Sequence, residues 1–349
     1  MSEARRSRAA RALWAGAGAV TAAAVLLAVI LLRRPLEFRP FEGEAMATRW
    51  QVVLPDRAGA PEAAEECFAL FRRLDAELSE WQAGSPLTAV NRAAGGAPVV
   101  VPQELFDLLA RSLELGRETG GAFDVAWAAL WGLWDFRAAS PRVPTDDEIA
   151  ARLPLVDFRR VVLDPAARTV FLPARGMKLG LGAIGKGYAL ARAAELLEAR
   201  GFHDFLVLGG GQVVARGRRG ERPWRVGVRD PRGERDDIFA RLDLGDASLS
   251  TSADNESYFV ADGVRYHHIL DPRTGKPSRG LRSATVLHRD ATLADALSTA
   301  LMVLGEEQGF AVVRRLGGEA VTVDEEGGVA TTPGLASRLE ILHPPRRAG

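Results

Sequence analysis

Asp295, Ser298 and Thr299 stand at i, i+3 and i+4 in "DATLADALSTALMVLG", so on a helix their three oxygens share one face. Hard oxygen donors of this kind suit Mg2+, which takes one or two carboxylates and shares its other positions with phosphate. A reading without metal is open too, because Thr292 and Asp295 fit the capping-box pattern of a helix start. "RYHHILDPRTG" supplies His267 and His268. Neighbours on a strand face opposite sides, so at most one ring serves a given pocket, where a neutral imidazole can act as a general base near pH 7. Two hydrogen-bonded histidines beside a turn are the alternative. Gly180, Gly182 and Gly185 in "LGLGAIGKGYALARA" have the G-x-G-x-x-G spacing of a dinucleotide-binding turn.

The elements around these residues decide how far each signal carries. A Rossmann turn follows a continuously apolar strand and has an acidic residue about 20 positions on. Here "LPARGMKL" precedes the glycines, and the next strand, "FLVLGGG", ends in glycines where that carboxylate belongs. The spacing therefore lacks its context. "TRWQVVLP" reads as a strand, and "PEAAEECFALFRRLDAELSEW" as an amphipathic helix holding Cys67 as a buried thiol. "AGSPLTAVNRAAGGAP" reads as a loop and "PQELFDLLARSLELGRETGG" as a second helix closed by glycines. Trp127, Trp131 and Trp134 are spaced as one helical face, most simply core, while Trp81 sits at a helix-to-loop edge where a ring can stack on a flat ligand. "RVVLDPAARTVFLP" predicts a hairpin and "GYALARAAELLEARG" a helix. Further strands are read in "WRVGVRDP", "IFARLDLGDASLSTS", "SYFVADGVRYHHILDP" and "RSATVLH"; "ATLADALSTALMVLG" is the last helix. Strands grouped in meanders between helices predict an α+β fold with antiparallel or mixed sheets and flanking helices.

The chain has 349 residues with 45 Lys plus Arg and 45 Asp plus Glu, a balance that gives no reason to expect a nucleic-acid partner. Its single cysteine precludes an intramolecular disulfide. "LWAGAGAVTAAAVLLAVILL", residues 13–32, carries no charge and is long enough to cross a bilayer at about 1.5 Å per residue. Arg5, Arg6, Arg8 and Arg11 before it favour an inside N-terminus. No A-x-A-like cleavage site follows in "LLRRPLEF", so the segment reads as an uncleaved anchor rather than a signal peptide. The expected organisation is a cytoplasmic tail at 1–12, one transmembrane helix at 13–32, a linker at 33–43 and a single catalytic domain at 44–345. That domain would lie on the periplasmic side of the cytoplasmic membrane.

Taken in order, "AMATRW", "SEWQAGSPLTAVN", "GAFDVAWAALWGLW", "LGAIGKGYA", "GGQVVARG", "STSADNESYF", "RYHHILDPRTGKP" and "DATLADALSTALMVLG" resemble the ApbE family of FAD-dependent protein flavinyltransferases. The resemblance implies an ApbE-like domain that cleaves the FAD pyrophosphate with Mg2+, transfers FMN to a Thr or Ser hydroxyl of an acceptor protein and releases AMP. The acceptor would belong to a membrane electron-transfer system. Met46, Trp81, Ala122, Phe123, Asp124, Gly180, Lys186 and Ile269 would meet FAD. The Ala183 carbonyl, Asp295, Ser298 and Thr299 would surround the metal, and His268 would be the base. The family pattern has Asp at the place of Gly180, Met-Gly-Thr at Met46-Ala47-Thr48, Gly-Gly-Asp at Gly210-Gly211-Gln212 and Ser-Gly-Asp-Tyr-Glu at Ser252-Ala253-Asp254-Asn255-Glu256. The G-x-G-x-x-G spacing is then a by-product of the glycine at position 180. That glycine also leaves open a flavin-binding protein with lost or reduced transferase activity, or an FAD pyrophosphatase.

Overall fold

Eight strands form the main sheet, each antiparallel to its neighbours and paired in chain order: β1 Phe38–Ala45, β2 Thr48–Pro55, β3 Phe205–Gly209, β4 Gln212–Arg216, β5 Ala247–Ala253, β6 Leu281–His288, β7 Glu319–Asp324 and β8 Val329–Thr331. The structure is a computed structural model that describes residues 37–136, 138–234 and 236–346. The tail at 1–12 and the expected membrane helix at 13–32 lie outside the described residues. Among the described residues no helix is long and apolar enough to cross a membrane.

Side chains alternate across the sheet as the period of two requires. Val52, Val207, Val214, Ala284 and Val286 face one core, and Val53, Ala215, Leu249, Leu287 and Val321 face another. The second core is closed by a three-stranded sheet of Trp224–Arg229, Ile238–Leu244 and Leu339–Ile341. The helices are α1 Ala60–Leu78, α2 Pro86–Arg92, α3 Gln103–Glu118, α4 Asp146–Arg152, α5 Gly185–Ala199, α6 Ala291–Arg315 and α7 Pro333–Ala336. Phe71 and Leu74 of α1, Leu105 and Leu109 of α3, Leu190 and Leu197 of α5, and Leu297 and Leu301 of α6 build the first core. Trp50 anchors it, stacked on Phe71 at 4.1 Å and donating its indole N–H to the Ala45 carbonyl at 3.0 Å. Its strand partner is Gly209, where a Cβ would meet the indole at 2.5 Å.

Several expectations are corrected. β1 begins at Phe38 and pairs along its whole length with β2, so the folded unit starts before the expected boundary at 44 and the linker is shorter than 33–43. The stretch read as a loop contains α2, whose Ser85 hydroxyl caps the Thr88 N–H and whose Pro86 fits the first turn. The helix expected over "ATLADALSTALMVLG" does break at Gly305 (φ 74, ψ 179), but a second helical stretch follows at once and runs through "GFAVVRR" to Arg315. Val125–Leu130 is a 3-10 helix, so the tryptophans do not share one α-helical face. Only Trp134 is fully buried, whereas Trp127 and Trp131 are half-buried.

The crossing of α5 and α6 sets up the site. Gly187 lies so close to the start of α6 that a Cβ there would sit 2.3 Å from the Ala291 carbonyl oxygen and 2.5 Å from Asp295 Cβ. Gly187→Ala must push the two helices apart, and overpacking of this kind costs about 1–3 kcal/mol. The expected result is a lower denaturation midpoint in urea at unchanged slope; a variant as stable as the parent would contradict this close approach.

Candidate functional site

Asp295 is 3 % exposed and is shared between two helices and the sheet. Its Oδ2 accepts the Gly187 N–H of α5 at 2.8 Å, and its Oδ1 accepts Gln212 Nε2 at 2.7 Å and the Ser250 hydroxyl at 3.5 Å. The capping-box reading is overturned. Asp290 is the N-cap of α6, accepting the Thr292 and Leu293 N–H groups, which leaves the Asp295 side chain to cross to α5. Ser298 donates to the Asp295 carbonyl at 2.9 Å, and Ser252 bridges the Ser298 and Thr299 hydroxyls at 2.8 and 3.1 Å. Ser250 and Ser252 reach this cluster because they alternate along β5, both on the α6 side.

Burial raises the Asp295 pKa, opposed by the Lys186 charge and by the Gly187, Gln212 and Ser250 donors. Such a carboxylate is held ionised more firmly by a cation. The oxygens around it suit a hard one. Besides the three hydroxyls, the Ala183 carbonyl is left without its helical partner, because Gly187 turns its N–H to Asp295. Gln212 Oε1 is buried and has no hydrogen-bond partner, a condition that costs about 1–3 kcal/mol when nothing compensates it. Among the described residues no group of three His, Cys, Asp or Glu side chains gathers. A cation here therefore depends on one carboxylate with neutral oxygens around it.

The glycine-rich bend before α5 is pinned from three sides. Asn91 of α2 accepts the Leu179 N–H at 2.7 Å and donates to the Leu179 carbonyl at 2.9 Å. Gly180 donates to the Val125 carbonyl at 2.9 Å and accepts the Trp127 indole N–H at 3.1 Å. Glu80 accepts from the Leu181 and Gly182 N–H groups, with its pKa raised by burial. Gly180, Gly182 and Gly185 are absent from the positive-φ residues, and no strand runs directly into the bend. Gly180 is needed for space, since a Cβ would lie 2.9 Å from Trp127 Nε1. A Rossmann turn is excluded.

Lys186 is half-buried, and its charge lowers the pKa of Glu80, His268 and Asp295 alike. Its stem packs where a Cβ on Gly210 would be, at 2.7 Å. Of the two histidines, His267 is structural. It is buried, with Nε2 2.9 Å from the Ser278 carbonyl and Nδ1 accepting the Ile269 N–H at 3.3 Å. His268 is open to solvent at the edge of the cleft. The protein walls around it, then His267 and Lys186, push its pKa down to about 4. Water reaching the ring offsets part of that shift, and the ring is neutral at pH 7.

The other expected residues line the same region unequally. Met46 and Ala47 form the two-residue turn between β1 and β2 with φ of 50 and 55°, a left-handed conformation that costs about 1–2 kcal/mol per residue with a side chain. The Met46 Cε lies 3.7 Å from the Cβ position of Gly185. Trp81 is 72 % exposed and stacks on Trp131 at 3.9 Å, which meets Trp127 edge-on at 5.9 Å. This indole ladder runs from solvent to Gly180. Ala122 and Phe123 are buried, and both Asp124 oxygens are taken by the Ala126 and Phe158 N–H groups at 2.7 and 3.0 Å. Burial raises Asp124 to about 6. Ile269 is core, with its N–H donated to His267 Nδ1 at 3.3 Å and its carbonyl accepting the Ser278 N–H at 2.9 Å.

Glu80, Asn91 and Ser250 are not singled out by sequence, and Gln212 and Ser252 are named there only in comparison with the family pattern, with no role assigned. Each acts through a partner distant in the chain, and no local pattern marks them. A cavity of about 170 Å³ is lined by Gly210, Gly211, Gln212, Arg229, Thr251 and Asn255, so it reaches a residue that also meets Asp295. Thr251 alternates with Ser250 and Ser252, so it opens on the side of β5 away from Asp295.

A profile of the ApbE family matches residues 46–322. An FAD:protein FMN transferase of Treponema pallidum is 37 % identical over 296 residues, covering 80 % of this chain and 82 % of the relative. Another from Escherichia coli K12 is 32 % identical over 300 residues, covering 83 and 85 %. The crystal structure of the ApbE protein of Thermotoga maritima superposes with a TM-score of 0.80 at 33 % identity, covering 86 % of this chain and 99 % of that one. The flavin transferase ApbE of Vibrio cholerae gives 0.78 at 26 % identity, covering 87 and 100 %.

The depressed His268 pKa has a definite sign for stability. An unfolded histidine binds its proton near 6.5, whereas the folded one waits until about 4. Between these values the unfolded state holds more protons, so stability falls as pH drops through that window. Relative to the parent, His268→Gln should flatten that fall, and the His268 ring should titrate well below 6.5 by NMR. A midpoint at or above 6.5 would contradict the assignment.

Proposed function

Because the chain belongs to the ApbE family and is a flavin transferase, we propose that it moves the FMN half of FAD to a Thr or Ser hydroxyl of an acceptor protein, with Mg2+, and releases AMP. The acceptor oxygen attacks the phosphorus of the FMN half, the pyrophosphate bond breaks, and AMP leaves with the bridging oxygen. The observation that carries this reading is the buried Asp295 carboxylate held at the start of α5, beside Lys186, with an uncompensated oxygen next to it.

Each residue has a task that its surroundings support. Lys186 places positive charge at a helix start, where N–H groups and dipole also favour phosphate. His268 is neutral at pH 7 and can take the hydroxyl proton. Asp295, Ser298, Thr299 and the Ala183 carbonyl would hold Mg2+, with the uncompensated oxygens of the cluster in favour. When bound, a divalent ion neutralises charge on the phosphate oxygens. Met46, in its strained turn, and the exposed Trp81 offer apolar surface for the flavin ring. Ala122, Phe123, Asp124, Gly180 and Ile269 would contact FAD mainly through main chain and shape. Residues 13–32 would anchor the enzyme in the cytoplasmic membrane with residues from 38 onward on the periplasmic side, facing a membrane electron-transfer acceptor.

A second reading is favoured by one observation. Trp127 fills the space a side chain at 180 would take, so no carboxylate stands there. A slower transferase, or an enzyme that gives FMN and AMP from FAD and water, fits that difference.

Full-length protein incubated with FAD, Mg2+ and an acceptor should yield acceptor-bound flavin and equimolar AMP. Asp295→Asn and His268→Ala should each lower the rate by about 100-fold or more. AMP without labelled acceptor would favour the second reading, and neither product under any divalent metal would defeat both.

A further inference from the structure

We infer that Gln212 is a further ligand of the cation proposed for the Asp295 cluster, binding it through the amide oxygen. The inference rests on the metal-dependent reading above and adds a residue to it. Gln212 opens β4 and pairs with Ser250 across the sheet, so both side chains point to the α6 side. It is 3 % exposed. Its Nε2 donates to Asp295 Oδ1 at 2.7 Å, while Oε1, on the other arm of the same amide, is buried with no partner.

The orientation of the amide follows from its neighbour. Turned over, Gln212 would set its oxygen against a carboxylate oxygen, two acceptors with no proton between them. With Nε2 on Asp295, Oε1 is the acceptor left over in a nest of oxygens. The nearby hydroxyls are engaged with one another and with α6: Ser298 with the Asp295 carbonyl at 2.9 Å, Ser252 with Ser298 and Thr299, Ser250 with Asp295 and Ser298. Water does not reach Oε1. A divalent cation bonds oxygen at about 2.0–2.6 Å and would satisfy this acceptor. One amide thereby performs two functions, steadying Asp295 with its N–H and offering its oxygen to the ion beside it. Because that oxygen is neutral, the cluster carries one negative charge and a dication keeps net positive charge for the phosphates.

The test uses full-length protein stripped with EDTA and titrated with Mn2+ alone, read by electron paramagnetic resonance of free Mn2+ and by water-proton relaxation of the bound ion. Gln212→Leu should weaken Mn2+ binding by about tenfold or more and add a bound water where the oxygen was. Gln212→Glu restores an oxygen and should keep both the affinity and the water count of the parent, or bind more tightly. A purely orienting role predicts no added water in Gln212→Leu, and that result overturns the inference. If Gln212→Leu does not fold, judged by thermal melting in EDTA, an added water in Gln212→Glu overturns it instead. Parent protein that binds no Mn2+, or binds it equally well as Asp295→Asn, would defeat the metal-dependent reading itself, a different outcome from either.

Discussion

The structure depends on keeping one carboxylate buried between two helix starts. Asp295 gives up its hydration, and the surrounding chain replaces it with a main-chain N–H from α5, an amide N–H from β4 and a hydroxyl from β5. Each donor comes from a different element, so the carboxylate holds α5, α6 and the sheet in one arrangement. It also dictates residue size nearby. A glycine is required at 187 because the two helices approach until backbone and Asp295 Cβ touch. A serine rather than a valine suits 250 and 252, although both stand on a β-strand facing a core. A stretch that local propensity would fill with branched apolar residues is polar because of what crosses above it.

The bend before α5 is built on a different economy of space. The bend at 179–184 has no strand or helix of its own, so its backbone groups must find partners outside it. Asn91 imitates a strand neighbour for Leu179, Glu80 takes the next N–H groups, and Trp127 closes over Gly180. The indole that occupies the volume above Gly180 continues through Trp131 to Trp81 at the surface. A substitution at 180 would therefore disturb the aromatic ladder as well as the bend. Of the three glycines in the G-x-G-x-x-G spacing, Gly180 is thus explained by packing, and left-handed backbone plays no part at any of them.

The regular parts of this fold were legible wherever the hydrophobic period ran for several turns. α1, α3 and α5 and the strands from 48 and 205 fall where alternation or helical spacing put them. The misreadings share a cause, a residue with two local meanings. Ser85-Pro86 marks a turn, yet the same pair caps a helix and opens its first turn. At Gly305 the stop signal holds, and what the local pattern does not show is the second helical stretch that follows at once, where Val313 packs into the core. Thr292 and Asp295 match a capping box, but Asp290 takes the cap first. At the site, Asp295 and His268 carry side-chain types that announce chemistry. Gln212 and Glu80 do not, because what matters about them is the backbone or carboxylate they meet across long stretches of chain.

Charge accounts for why the cluster is composed as it is. Lys186 stands near three titratable groups, so a second carboxylate beside Asp295 would draw its ammonium inward and spend the charge before a phosphate arrived. With one carboxylate and neutral oxygens, Asp295 can be balanced by an ion while Lys186 stays available to the anion. The same balance bears on His268. The protein walls around the ring, then His267 and Lys186, lower its affinity for a proton, and it is unprotonated at neutral pH. A pyrophosphate drawn into that space would cancel part of the effect and make the ring a stronger base at the moment a hydroxyl must give up its proton.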